Sequence, residues 1–136
     1  MSPRGSRKPF EGLMAVAAGA FLFALGIAFG AFGAHALGDV GPERLRWWAT
    51  AAQYHFIAAS GVLTLGLLRL ARPLTLSPIW LFGAGLLLFS GSLYAMALGG
   101  PRWFGAITPV GGLCLMAGFV WMGIAALRAG AATPLP

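Results

Sequence analysis

Charged residues interrupt this chain at only a few places. Positions 12–38, 47–68, 73–101 and 103–127 contain no Asp, Glu, Lys or Arg. A helix rises about 1.5 Å per residue and the hydrocarbon core of a bilayer is about 30 Å thick, so about 20 apolar residues make one crossing. Each run is long enough for one crossing and too short for two. The pattern predicts an all-α, polytopic membrane protein, a bundle of four transmembrane helices.

Punctuation residues set the expected boundaries. Residues 1–11 form a basic tail, 12–128 the transmembrane domain and 129–136 a tail containing proline. Helix one is expected over 12–36, helix two over 43–69, helix three over 78–99 and helix four over Pro109–Arg128, with a turn over 100–107. Gly41-Pro42, Ser77-Pro78 and Thr108-Pro109 each read as an N-cap followed by proline at the first helical position, where the missing N–H is harmless. Pro109 is also compatible with a kink in a helix that begins near Trp103. Ala34-His35-Ala36 has the form of a signal-peptidase site. The apolar run from Leu13 to Ala34 exceeds the 7–15 residues of a signal peptide, so a retained first helix is expected.

Composition supports a membrane location. Charged residues are 9% and hydrophobic residues 59%, against about 25% charged in soluble domains. The 21 glycines suit helices that associate by close backbone packing. The net charge of +6 is scattered over loops and tails instead of forming one face. It argues for anionic lipid headgroups as partners and against nucleic acid. Arg4, Arg7, Lys8, Arg69, Arg72 and Arg128 fall on one side, and Arg44, Arg46 and Arg102 on the other. Lys and Arg accumulate on the inner side of membrane proteins, so both termini are expected inside. Trp47, Trp48 and Trp103 would then lie at the outer interface and Trp80 at the inner one. Cys114 is the only cysteine, which excludes an intrachain disulfide.

Polar groups within hydrocarbon are expensive and call for an explanation. Thr50, Gln53, Ser60 and Thr64 share one stripe of helix two, expected to face the bundle, with His55 about 180° away among alanines. Ser90 and Tyr94 share a face of helix three. Gly26, Gly30 and Ala34 offer a small-residue face on helix one. Gln53, Tyr54 and His55 lie roughly 9–12 Å below the outer end of helix two. Ser92 and Tyr94 are similarly deep in helix three, and Thr108 is near the outer interface. A candidate polar pocket in the outer half therefore comprises Gln53, Tyr54, Ser90, Ser92, Tyr94 and Thr108. The same groups could instead be glue between helices. His35, Asp39 and His55 are candidate interfacial or interhelical residues, and His35 would meet Asp39 if helix one ran that far. A proton path would need a chain of ionisable groups, and no mid-helix carboxylate exists. Two histidines and one cysteine on different helices do not make a metal site. No cofactor is expected.

Four blocks occur in order: GAFGAHAL at 30–37, W-x-T-A-x-x-Y-H at 48–55, LFSGSLY at 88–94 and ITPVGG at 107–112. Together they resemble the small four-helix membrane family called domain of unknown function 423, which includes the eukaryotic transmembrane protein 256 group. The resemblance covers about residues 12–128 and implies four membrane helices with no assigned activity. Members often carry a second histidine four residues after the tyrosine of helix two. Here that position is Ala58, which weakens any paired-histidine chemistry. The expectation is a non-enzymatic membrane protein with a structural, accessory or lipid-associated role. The alternative is binding or permeation of a small molecule or lipid through the outer-half pocket. Membrane lipids are the expected partners, and so thin a bundle leaves room for a homo-oligomer. The bacterial cytoplasmic membrane is the expected location, or the mitochondrial inner membrane for a eukaryotic chain.

Overall fold

The computed structural model describes residues 7–71 and 78–131. Its elements are α1 (Arg7–Ala36), α2 (Pro42–Ala71), α3 (Ile79–Gly85), a π-helical segment (Leu86–Gly91), α4 (Ser92–Ala97), a 3₁₀ turn (Arg102–Ala106) and α5 (Thr108–Ala131). α3, the π segment and α4 form one continuous third span. Four helical spans are long and apolar enough to cross a membrane: Phe10–Ala36, Pro42–Ala71, Ile79–Ala97 and Arg102–Arg128. Large apolar side chains cover their outer surfaces, among them Phe21, Ile27, Leu113 and Val120. A soluble bundle would present polar groups there, so this surface is one that lipid solvates.

Packing follows chain order. α1 lies along α2, α2 along the third span, and the third span along α5, while α2 and α5 barely touch. The α1–α2 seam rests on glycines spaced by seven. A Cβ added at Gly12 would stand 2.9 Å from Leu70, at Gly19 2.8 Å from Leu63, and at Gly26 2.9 Å from Phe56. Gly33 fits against the Trp48 ring. The first two steps of seven up α1 are matched by steps of seven down α2 and the third by a step of eight, which keeps one seam between the helices. Gly30, expected with Gly26 and Ala34 on a small-residue face, has nothing within 4 Å of an added Cβ. The contact period is seven, not four, and Gly30 with Ala34 points away from the seam.

Helix ends agree with the expected proline signals in part. α2 starts at Pro42, after Gly41 with φ +87°. Pro78 stands just before α3 rather than inside it, and Ser77 lies outside the described residues. Thr108 does not cap its own helix. Its hydroxyl donates to Ser92 Oγ (2.8 Å), with Phe104 O 3.3 Å away. The third span ends in a Schellman motif: Gly99, at φ +101°, donates to Met96 O, and Gly100 N–H reaches Ala95 O. Arg44 Nε, from the first turns of α2, donates to Ala97 O at 2.6 Å and so satisfies a further carbonyl of that helix end.

Candidate functional site

Near the Pro42 end of α2 the four blocks of the sequence come together. Trp48 is buried, not interfacial as its place beside Trp47 suggested, and its Nε1–H donates to Phe29 O at 2.8 Å. Its ring centroid is 4.5 Å from Tyr94 and 5.8 Å from Phe29. Phe29 meets Tyr94 edge-on at 4.9 Å and His55 at 5.8 Å. Such tilted aromatic pairs are attractive beyond their buried area. The cluster joins α1, α2 and α4 in one buried core with Leu37, Ala51, Leu93, Met96 and Ala97. Trp103 and Trp80, by contrast, are exposed as an aromatic belt requires.

His55 settles the rotation of α2. Its side chain is 2% exposed and its Nε2 lies 2.9 Å from Leu22 O of α1. A carbonyl can only accept, so Nε2 carries the proton and Nδ1 is left as an acceptor. His55 is therefore interhelical. In the stripe opposite it Gln53 and Thr64 are exposed, Thr50 and Ser60 are half-buried, and Ser60 bonds its own helix at Ile57 O (2.7 Å). The expectation that this stripe faces the bundle is corrected. The seam of α2 is built instead from Trp48, Ala51, His55, Ala58, Val62 and Leu65. Trp48 and His55 of that face bond to α1, while Ala58, Val62 and Leu65 pack with Phe82 of the third span and Leu115 of α5.

The six candidate pocket residues do not share a cavity. Gln53 points away from the bundle. Tyr54 stacks on Phe89 with centroids 4.0 Å apart. Ser92 Oγ donates to Leu88 O or Phe89 O and accepts from Thr108 Oγ1, tying the third span to α5. Tyr94 belongs to the aromatic cluster, and Ser90 is fully buried. Three buried polar atoms, His55 Nδ1, Ser90 Oγ and Tyr94 Oη, have no partner among the described residues. His35 and Asp39 are both exposed and form no ion pair with each other among the described residues. Glu11 pairs with Arg69 (2.9 Å) at one end of the bundle, and Glu43 with Arg102 (3.4 Å) at the other. Ala58, at the departure from the family pattern, is completely buried against Phe82 and Leu115.

A groove that the residue pattern did not suggest opens on the other side of the α1–α2 seam. It measures about 510 Å³ and is lined by Gly30, Gly33 and Ala34 of α1 and by Leu45, Arg46, Trp48, Ala49 and Ala52 of α2. Its walls are apolar and Arg46 is its one charged group. A signal existed: Gly30 and Ala34 leave α1 thin where they do not touch α2. A smaller groove of about 200 Å³ lies between the π segment and the 3₁₀ turn, lined by Leu87, Gly91, Ser92 and Phe104 among others. Among the described residues no group of three His, Cys, Asp or Glu side chains could hold a metal.

Comparison with known proteins agrees with this architecture. The family described as "Protein of unknown function (DUF423)" matches residues 29–112, which span the aromatic cluster, the π segment and the Ser92–Thr108 link. The chain is 36% identical over 114 residues to the UPF0382 membrane protein YwdK of Bacillus subtilis (strain 168), covering 81% of this chain and 93% of that one. It is also 36% identical over 120 residues to the UPF0382 inner membrane protein YgdD of Escherichia coli (strain K12), covering 85% and 88%. No solved structure matches. Four membrane-spanning helices and these relatives place the chain in the bacterial cytoplasmic membrane. The chain belongs to the DUF423 family of membrane proteins, whose biochemical activity is unknown.

Proposed function

We propose that this protein is a non-enzymatic, lipid-associated component of the membrane, and that the groove between α1 and α2 seats an anionic phospholipid. The groove itself carries this reading. Its volume falls within the ~300–1,000 Å³ of small-molecule sites. Its apolar walls suit an acyl chain, and exposed Arg46 suits a phosphate. Arg46 has no carboxylate partner among the described residues, whereas Arg69 and Arg102 have one. A non-enzymatic role is supported by the histidines. His55 is tied to a backbone carbonyl and His35 stands on the surface without a partner carboxylate.

Native mass spectrometry on protein reconstituted with mixed phosphatidylglycerol and phosphatidylcholine tests the proposal. Wild type should retain phosphatidylglycerol selectively. Arg46→Gln should lose that selectivity, and Ala49→Leu, which fills the groove, should lose the lipid. Equal retention by all three would sink the idea.

A second reading has its own observation. His55 Nδ1 accepts and Tyr94 Oη donates, and both are buried without partners among the described residues, their rings 6.2 Å apart. That pair suits one small neutral polar molecule. Under this reading Tyr94→Phe removes a co-purifying ligand and leaves the phospholipid selectivity of Arg46 untouched.

A further inference from the structure

The outward face of α2 carries exposed Gln53 and Thr64 among apolar residues such as Ala49 and Leu67, where a lipid-facing helix should be apolar. Ala49, Gln53, Ile57, Ser60 and Thr64 follow one another at spacings of three and four, opposite the His55 seam. Gln53 and Thr64 are exposed and form no side-chain hydrogen bond among the described residues. The midpoint of Pro42–Ala71 falls near residue 56. At 1.5 Å per residue Gln53 lies about 5 Å from it and Thr64 about 11 Å on the other side. Both therefore sit within the hydrocarbon, where acyl chains offer no hydrogen bond. The large exposed side chains of α1 and α5 are apolar, including Phe21, Ile27, Met116 and Val120. Among the described residues neither α1 nor α5 carries such a stripe.

We infer that this stripe is the seam of a homodimer in which two copies lie side by side in the same membrane orientation. A two-fold axis along the membrane normal places each residue opposite its own counterpart at the same depth. A primary amide both donates and accepts, so Gln53 is complementary to the Gln53 of a second copy. A different protein would need a matching polar group at that depth, whereas a second copy supplies one by symmetry. Ala49 is short enough for the helices to approach. Ala49 also borders the Arg46 groove, but Gln53, Ser60 and Thr64 do not, so Gln53→Leu with Thr64→Val tests the dimer separately from the lipid.

Single cysteines are placed at Ala49, Gln53, Ile57, Ser60 and Thr64 in a full-length Cys114→Ala background. Phe21→Cys and Val120→Cys serve as exposed controls on α1 and α5. Mild oxidation in native membranes should link the stripe variants into dimers with the period of the helix and leave the controls monomeric. Energy transfer between labelled copies, followed on dilution with lipid, gives the second readout. Gln53→Leu with Thr64→Val should raise the dimer dissociation constant about tenfold. Because both positions face outward, the variant should keep the fold of the monomer. Control positions that cross-link as well as Gln53→Cys would overturn the inference. So would a wild type that is monomeric throughout, a cross-link to a different protein, or a dissociation constant unmoved by the double substitution.

Discussion

At Gly19 and Gly61 a single methyl group is already too much. A Cβ at Gly19 would stand 2.8 Å from the Leu63 backbone, and one at Gly61 would enter the ring of Phe82. Phe82 is itself fully buried, with Gly118 of α5 on another side of the ring. Overpacking of this kind costs about 1–3 kcal/mol. Gly19→Ala and Gly61→Ala should each lower the thermal midpoint in detergent, while Gly30→Ala, with open space at its Cβ, should leave it unchanged. Equal midpoints for Gly19→Ala and Gly30→Ala would contradict the seven-residue seam. His55 makes a related point. Replacing it with leucine removes the tie to Leu22 O, and an interhelical bond in a membrane is worth about 0.6 kcal/mol on average. The loss should be small in stability.

Among the elements, the third span departs most from regular geometry. Its π segment, Leu86–Gly91, places an i→i+5 turn where α5 presses closest: a Cβ at Gly111 would collide with the backbone of Leu88 and Phe89. Such turns hold one residue more than an α turn and occur often at functional sites. Deleting exposed Leu87 should therefore close the turn to α geometry and keep Tyr94 in the aromatic cluster. Deleting exposed Met116 from regular α5 should rotate everything beyond it by about 100° and abolish folding. Measuring folded yield and Tm for the two deletions separates these outcomes. Little of this was legible in the residues, since no side-chain pattern marks a π turn. The spans were legible, because Asp39, Arg69, Arg102 and Arg128 bracket them. The rotation of α2 was not. The rule that polar residues turn inward assumes one chain alone in lipid, and it put Gln53 inside and His55 on the far side. The better signal was the run Gly12, Gly19, Gly26, Gly33, which marks where two backbones touch and fixes which face of α2 is covered. The Ser92–Thr108 link was within reach, since both residues had been placed in one polar layer. Their partnership as a clamp, instead of a pocket wall, depended on the 3₁₀ turn that brings Thr108 back over Phe104.

For the molecule as a whole, charge and packing each carry a consequence. Arg69 and Arg128 fall at the end of the bundle where α1 begins, and Arg44, Arg46 and Arg102 at the other. If the first end is cytoplasmic, a fluorescent reporter fused at the C-terminus should be bright and an alkaline phosphatase fusion inactive. The reverse pattern would reject that orientation. The packing order speaks to biogenesis. Because each helix leans almost wholly on the one before it, no contact has to wait for a distant segment of chain. The α1–α2 hairpin, with its glycine seam and the Glu11–Arg69 pair, is complete in its partners once Ala71 has been made. Contacts this local favour rapid, sequential assembly. A ribosome stalled after the second helix should already hold a protease-resistant hairpin in the membrane, onto which the rest of the protein is laid one helix at a time.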